Sequence, residues 1–181
     1  MQALIYLTLL LALMWFCRRQ LLNPRCHGFY RFFAFAGILW ILVRAVPRWH
    51  EQLLSLSQVG ATLLLVLAGV FMVSALWWLR SEGGRRHREQ PVENFAFENT
   101  ARLVTAGIYR YVRHPMYTSL LFLCWGSYLK ETSGSGLLVA LGVSVALFVT
   151  ARVEEGENRE FFGDDYDCYR QQSRLFIPFV L

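Results

Sequence analysis

The stretch Gly107-Ile-Tyr-Arg-Tyr-Val-Arg-His-Pro-Met-Tyr117 stands directly before an apolar run and brings two arginines, a histidine and three tyrosines to that boundary. Charged and polar residues at the edge of a membrane segment cost free energy, so they indicate a function. A second charged cluster, Glu154-Glu155, follows the next apolar run. Because the two clusters bracket one predicted helical hairpin, we interpret them as the two walls of a site for a polar ligand.

The composition favours a membrane protein. Of 181 residues, 55% are hydrophobic and 17% are charged, whereas soluble domains carry about 25% charged residues. The 18 basic residues include a single lysine, Lys130. Arginine dominance suits fixed contacts to phosphate or carboxylate, but codon bias and anionic lipid head groups account for it equally well. The four cysteines show no metal-ligand spacing, so we expect neither a metal site nor a disulfide framework.

Apolar runs predict an all-α integral membrane fold with about five transmembrane helices. Arg18 and Arg19 follow the first run instead of preceding it, so we interpret this run as a membrane helix and not as a signal peptide. Arg31 and Arg44 interrupt only the ends of the second run, where both can snorkel. The last two runs are shorter than the roughly 20 residues of a full span. The five runs are Met1–Cys17, Phe29–Val46, Leu56–Leu79, Pro115–Leu129 and Leu137–Ala151.

The arginines predict the orientation, because they concentrate between helices one and two, between three and four, and after five. We therefore expect the N-terminus outside and the candidate site and the C-terminus in the cytoplasm. The chain is predicted to form a single membrane domain over residues 1–181. Its parts are three spans in 1–79, a cytoplasmic loop at 80–114, a helical hairpin at 115–151 and a cytoplasmic tail at 152–181.

The tail is expected to contain an amphipathic helix from Glu154 to Arg174. Phe162, Tyr166 and Tyr169 share one face of that helix. Glycine has low helix propensity, so Gly163 weakens the predicted helix midway.

The start of the fourth helix predicts an anion site. Pro115 suits the first helical position, where its missing N–H is no loss. The amides of Met116, Tyr117 and Thr118 then lack intrahelical acceptors and point toward the cytoplasm. Such amides, at the positive end of a helix, bind carboxylates and phosphates.

Charged residues flank that anion site. His114 and Tyr117 can both donate hydrogen bonds to the same anion, and Arg113 adds a fixed positive charge. Glu154 and Glu155 emerge at the same membrane side and require a cation for balance. The two walls together would hold a zwitterion, such as an amino acid with an extra positive centre. Taken alone, the glutamate pair is more often a solvated helix start or a partner of arginines at helical spacing.

At this point the chain resembles the isoprenylcysteine carboxyl methyltransferase family and the related phospholipid methyltransferases. The similarity covers residues 100–178 and rests on the 107–117 stretch, Glu154-Glu155, a Phe-Gly-x-x-Tyr tail and Ile177-Pro178. It implies a multi-pass enzyme that uses S-adenosylmethionine to methylate a lipophilic small-molecule or prenylated acceptor. The carboxylate of an isoprenylcysteine-like substrate is the first choice. Membrane lipids are the other expected partners, with no nucleic acid.

The resemblance also implies roles for single residues. His114 and Tyr117 would hold the amino-acid end of the cofactor, and Glu155, joined by Glu154, its ammonium or ribose side. Arg174 and Glu155 would be the catalytic residues, with Arg174 facing the acceptor. The whole implied cofactor pocket is Arg113, His114, Pro115, Met116, Tyr117, Glu154 and Glu155.

Two other classes of protein stay open. A membrane sterol or enone reductase that uses NADPH carries a similar Arg-His-Pro-x-Tyr element, but it favours asparagine at the position of Met116. A non-catalytic lipid-binding scaffold has no reason to keep His114, Tyr117 and Glu155 at a membrane edge. Within the methyltransferase class, a carboxylate acceptor is ionised at neutral pH and needs no general base. This favours a carboxylate over an amine or a thiol.

Overall fold

A computed structural model describes residues 1–51, 54–84 and 100–176, and over these ranges the chain is helical, as the sequence predicts. Residues 85–99 of the predicted loop and the Ile177-Pro178 end of the tail lie outside the described residues. Short 3-10 turns cover Val46–Arg48 and Gly107–Arg110. The helices are α1 (Gln2–Phe16), α2 (Arg18–Leu21), α3 (His27–Ala45), α4 (Leu56–Glu82), α5 (Pro115–Lys130), α6 (Gly134–Phe162) and α7 (Asp164–Gln172).

Among the described residues, three segments are long and apolar enough to cross a membrane, namely His27–Arg48, Leu56–Glu82 and Gly134–Phe162. α1 has 15 residues and α5 has 16, below the roughly 20 residues of a full span. Large apolar side chains are exposed on the outer faces of the bundle, for example Leu63 at 59% and Val145 at 63%. Extended apolar surface of this kind requires cover by lipid or protein. The count of five spans therefore stays a prediction, while the part of the chain that the structure describes contains three helical segments of membrane length.

Small residues bring the helices close together. A Cβ atom on Gly37 of α3 would lie 2.4 Å from Cγ2 of Val143 on α6. A Cβ atom on Gly126 of α5 would lie 3.1 Å from the carbonyl oxygen of Ala61 on α4. Close van der Waals packing of this kind associates helices in lipid, where apolar side chains gain nothing from leaving water. The α3–α6 seam is filled by buried Ala34, Ile38, Ile41, Ala140 and Leu147.

The antiparallel arrangement brings the starts of α3 and α5 and the ends of α4 and α6 together at one end of the bundle, which we call the site end. The opposite end is held by Glu131, whose Oε1 accepts from Arg44 at 2.8 Å and Arg48 at 3.0 Å. There, Gln58 Nε2 of α4 also donates to the Lys130 carbonyl of α5 at 3.3 Å. These contacts fix the register of the helices that reach the site end.

α6 extends beyond the predicted end of the hairpin at Ala151 and carries Glu154-Glu155 within a helix that ends at Phe162. It ends there because Gly163 has a φ of 59°, a conformation that favours glycine. The prediction of one amphipathic helix from Glu154 to Arg174 is therefore wrong. Its first part belongs to α6, and α7 is a separate short helix.

Candidate active site

A cavity of about 490 Å³ opens at the site end of the bundle. The 100–117 segment and six helices, α1 and α3 to α7, contribute to its walls. A cavity of this size that is lined by both polar and apolar side chains suits an organic ligand that carries charged groups. The polar lining includes Arg31, His114, Tyr117, Glu154 and Asn158, and the apolar lining includes Phe35, Met72, Leu76, Leu79 and Leu120.

The 107–117 stretch lies against the end of α4 before it enters α5. Gly107 has a φ of 59°, and a Cβ atom there would lie 2.0 Å from the Trp78 indole, so glycine is required. Pro115 starts α5 at its first position, as predicted. The amide of Thr118 donates to the His114 carbonyl at 3.0 Å. The Thr118 amide is therefore already bonded within the chain, and the predicted anion site is reduced to the backbone amides of Met116 and Tyr117.

His114 is a buried imidazole in the cavity wall, with 5% of its surface exposed. Its ring stacks on Tyr117 with centroids 5.4 Å apart. Its Nδ1 lies 3.7 Å from Oε2 of Glu154, and its Nε2 is buried without a hydrogen-bond partner among residues 1–51, 54–84 and 100–176. Burial lowers the pKa of His114, against the opposing effect of Glu154 and Glu155. A neutral imidazole with an open nitrogen is suited to a ligand contact.

Glu154 is an acid in the cavity wall. The Tyr117 hydroxyl donates to its Oε2 at 2.5 Å, and 27% of its side chain is exposed. Asn158 and Phe162 follow at one-turn and two-turn spacing along α6, and both also line the cavity. One face of α6 thus presents an acid, an amide and an aromatic ring to a ligand.

Glu155 lies in a buried cluster of arginines and does not line the cavity. It is 3% exposed and accepts from Arg113 Nε at 2.7 Å and Arg152 at 3.1 Å, with Arg170 Nε 3.8 Å away. Arg113 also donates to the carbonyls of Arg170 and Ser173. The ion-pair interpretation of the glutamate pair therefore applies to Glu155, and Arg113 joins α6 to the end of α7.

The segment after α7 runs alongside the 111–114 backbone. The amide of Arg174 donates to Tyr111 O at 3.0 Å, and Arg174 O accepts from the Arg113 amide at 2.7 Å. The His114 amide donates to Leu175 O at 3.2 Å. The Arg174 side chain, predicted to face the acceptor, is exposed and does not line the cavity. Arg174 therefore contacts the segment before α5 through its backbone and not through its guanidinium.

Three buried tyrosines complete the polar wall. The Tyr169 hydroxyl donates to the Tyr109 carbonyl at 2.6 Å, and Tyr166 lines the cavity from α7. Burial, together with nearby carboxylates for Tyr109 and Tyr166, raises the pKa of these hydroxyls. They therefore stay protonated at neutral pH and can act only as neutral hydrogen-bonding groups.

The structure brings six of the predicted residues to the cavity and leaves Glu155 and Arg174 outside its wall. Sequence reasoning missed Asn158, although its one-turn spacing from Glu154 was a usable signal. It also missed Tyr109, and it assigned Arg31 to snorkelling although this arginine is 3% exposed and lines the cavity. The six predicted residues in the wall are Arg113, His114, Pro115, Met116, Tyr117 and Glu154.

Comparison with known proteins gives relatives of one enzymatic class. The chain is 33% identical over 77 residues to "Methanethiol S-methyltransferase 1" of Bradyrhizobium diazoefficiens, covering 42% of this chain and 26% of the relative. It is 31% identical over 86 residues to "Probable protein-S-isoprenylcysteine O-methyltransferase" of Oryza sativa subsp. indica, covering 46% and 44%. It is 37% identical over 87 residues to "Protein-S-isoprenylcysteine O-methyltransferase" of Schizosaccharomyces pombe, covering 43% and 34%. No solved structure matches the chain significantly.

In each of these relatives, the chain matches less than half of the relative's length. A sequence model of the family described as "Phospholipid methyltransferase" matches residues 56–165. This match begins at α4, so the segment shared with the family starts earlier in the chain than the similarity over residues 100–178 indicated. It also contains His114, Tyr117, Glu154 and Glu155. The chain belongs to the phospholipid methyltransferase family.

Proposed function

We propose that this chain is a membrane methyltransferase that uses S-adenosylmethionine and acts on a lipophilic acceptor. The observation that carries the proposal is Glu154, an acid bonded to Tyr117 in a largely apolar cavity and contributed by the family-matched segment. An acid in such a cavity favours a cationic ligand group. The relatives support a methyltransferase and give no support to the reductase alternative.

The polar groups of the cavity fit this cofactor. Glu154 suits an ammonium or sulfonium, and the amides at the start of α5 suit a carboxylate. In the neutral tautomer that carries its proton on Nε2, His114 can donate a hydrogen bond to that carboxylate. The proton is not needed on Nδ1, because Nδ1 is too far from Glu154 for a hydrogen bond. Tyr166 and Phe162 offer aromatic faces to a planar base. Bound there, S-adenosylmethionine would supply an electrophilic methyl group.

The chain's own residues would act by positioning and by excluding water. His114, Tyr117 and Glu154 would fix the charged end of the donor, and Tyr117 in turn orients the Glu154 carboxylate. The apolar wall, including Met72, Leu76 and Leu120, would hold the hydrocarbon part of the acceptor and keep water from the reacting atoms. No side chain needs to form a covalent intermediate. The Arg113–Glu155 cluster would act as a positioning element that holds the tail against the start of α5.

The proposal is tested by methyl transfer from tritiated S-adenosylmethionine to three acceptors: N-acetyl-S-farnesylcysteine, phosphatidylethanolamine and ethanethiol. We expect organic-soluble label, and we expect mild base to release it as methanol if a carboxylate ester has formed. Glu160→Gln, an exposed change on α6, should leave the transfer intact. Absence of transfer to all three acceptors by folded protein would contradict the proposal.

We also propose that the N-terminus lies outside and that the site end and α7 lie in the cytoplasm. Cys168 is exposed on α7, whereas Cys17, Cys26 and Cys124 are buried. A membrane-impermeant maleimide should therefore label the native chain at Cys168 in inside-out vesicles and leave right-side-out vesicles unlabelled. Cys168→Ser should remove the label. The opposite sidedness would overturn the orientation.

The buried His114 predicts a loss of stability in acid. Its pKa in the folded chain is lower than its ordinary value of 6.5, so the unfolded chain binds this proton first. The contribution of neutral His114 to the stability of the folded chain is therefore complete above a pH of about 6.5, and it is lost as the pH falls below that value. The melting temperature in detergent should drop between pH 7.5 and 5.5, and it should drop less in His114→Gln. Equal drops in the two proteins would show that His114 is not the group responsible.

A further inference from the structure

Asn158 is a half-buried amide in the wall of the cavity. The contacts of two neighbouring residues fix the rotation of α6 at this level. Glu155 binds its cluster of arginines, and the Glu157 carboxylate accepts from the first backbone amide of α3 at 3.0 Å. Because helical residues four apart share a face, this rotation turns Glu154, Asn158 and Phe162 together toward the cavity.

A residue of α7 orients the Asn158 side chain. Tyr166 is 2% exposed and lines the same cavity, and its hydroxyl is close enough to Asn158 to form a hydrogen bond. A side-chain amide carries an acceptor oxygen with two lone pairs and two N–H donors, so one bond to Tyr166 leaves both kinds of group for a ligand. Asn158 therefore presents a donor and an acceptor side by side at a fixed place in the wall.

The order of side chains along α6 matches the order of groups in the proposed methyl donor. Each helical residue advances about 1.5 Å, so Asn158 lies roughly 6 Å and Phe162 roughly 12 Å beyond Glu154 along the helix axis. In S-adenosylmethionine, the ribose separates the cationic amino-acid end from the planar base. With the cation at Glu154 and the base at the aromatic rings of Phe162 and Tyr166, the ribose falls at Asn158.

The ribose requires a polar partner of this kind. It carries two neighbouring hydroxyls, each of which can donate and accept a hydrogen bond. Leaving such groups without partners in a partly buried site costs free energy. Met72, Leu76 and Leu120, which α4 and α5 contribute to the cavity, are apolar and cannot supply these bonds. The adjacent oxygen and nitrogen of the Asn158 amide can supply both.

We propose that Asn158 binds the ribose diol of the methyl donor, with its amide oxygen accepting from one hydroxyl and its amide nitrogen donating to the other. This inference rests on the proposed methyltransferase function. Asn158 determines which nucleosides the chain accepts as donors, whereas Glu154 recognises the positive charge at the other end. The diol is the same before and after methyl transfer, so the contact holds substrate and product equally. Its loss should therefore raise KM for the donor and leave kcat unchanged.

The test compares calorimetric binding of S-adenosylhomocysteine and of its 2′,3′-dideoxy analogue by the full chain in detergent. A neutral hydrogen bond gives roughly 3- to 10-fold in affinity, so the wild type should bind the dideoxy analogue about 10- to 100-fold more weakly. Asn158→Leu, which keeps the size of the side chain, should bind the two ligands within about twofold of each other. Asn158→Asp should keep a preference for the diol, because carboxylate oxygens accept from both hydroxyls. Gln171→Leu removes an exposed amide from α7 and should behave as the wild type.

Wild-type protein that binds S-adenosylhomocysteine without preferring it to the dideoxy analogue would overturn the role of Asn158. A full preference retained in Asn158→Leu would do the same, because the diol would then bind to another residue. If Asn158→Leu does not fold, Asn158→Ala makes the same comparison with a smaller side chain. Folded wild type that fails to bind S-adenosylhomocysteine would instead refute the proposed function.

Discussion

Glu154→Gln is expected to weaken the binding of S-adenosylhomocysteine by about 30- to 150-fold, or 2–3 kcal/mol, the scale of a lost hydrogen-bonded charge in a partly buried site. The substitution keeps the shape of the side chain and removes its charge. Glu154 is an acid in the cavity wall and accepts from the Tyr117 hydroxyl. Calorimetry in detergent measures the change directly.

Two further variants make this expectation specific. Tyr117→Phe removes one donor to Glu154 and should cost about 1–2 kcal/mol of binding. Glu160→Gln removes an acid from an exposed part of the same helix and should change nothing. If Glu154→Gln binds the ligand as tightly as the wild type, Glu154 does not contact it, and the acid wall of the site must be assigned elsewhere.

Glu155→Gln should instead destabilise the fold, by about 3 kcal/mol, because it leaves buried arginine charge without its partner. The side chain of Arg113 is 10% exposed, and its Nε is 2.7 Å from Oε1 of Glu155. We expect a lower melting temperature, together with faster hydrogen exchange over residues 170–176, since Arg113 also binds the carbonyls of Arg170 and Ser173.

Two controls separate this effect from a general loss of charge. Arg152 also meets Glu155, but 54% of its side chain is exposed, so Arg152→Gln should cost no more than about 1 kcal/mol. Replacing both Arg113 and Glu155 by methionine should recover part of the loss, because no buried charge from this pair remains. A wild-type melting temperature for Glu155→Gln would contradict the positioning role.

The helices were predictable because their signals are local. α4 coincides over most of its length with the apolar run Leu56–Leu79, which has no charged residue, and Pro115 marks the start of α5. Ser133 caps α6 by accepting from the Gly136 amide, within the polar turn that separates the last two runs. Each signal lies within a few residues of the feature it determines, so one sequence was enough.

The assignment of Glu154 and Glu155 to different roles was not predictable in the same way. Adjacent helical residues point about 100° apart, so the one that faces the cavity depends on how α6 is rotated against α3 and α5. The arginines that surround Glu155 come from three separate segments. The same limit applies to Arg31, whose place in the wall depends on the contact between His27 and Glu157, 130 residues apart in the chain.

The most direct test of the central claim is calorimetric titration of the purified chain in detergent with S-adenosylhomocysteine, with NADPH as the comparison. We expect micromolar binding of S-adenosylhomocysteine and none of NADPH. Binding of NADPH alone, or of neither ligand to protein shown to be folded, would contradict the assignment of this cavity to a methyl donor.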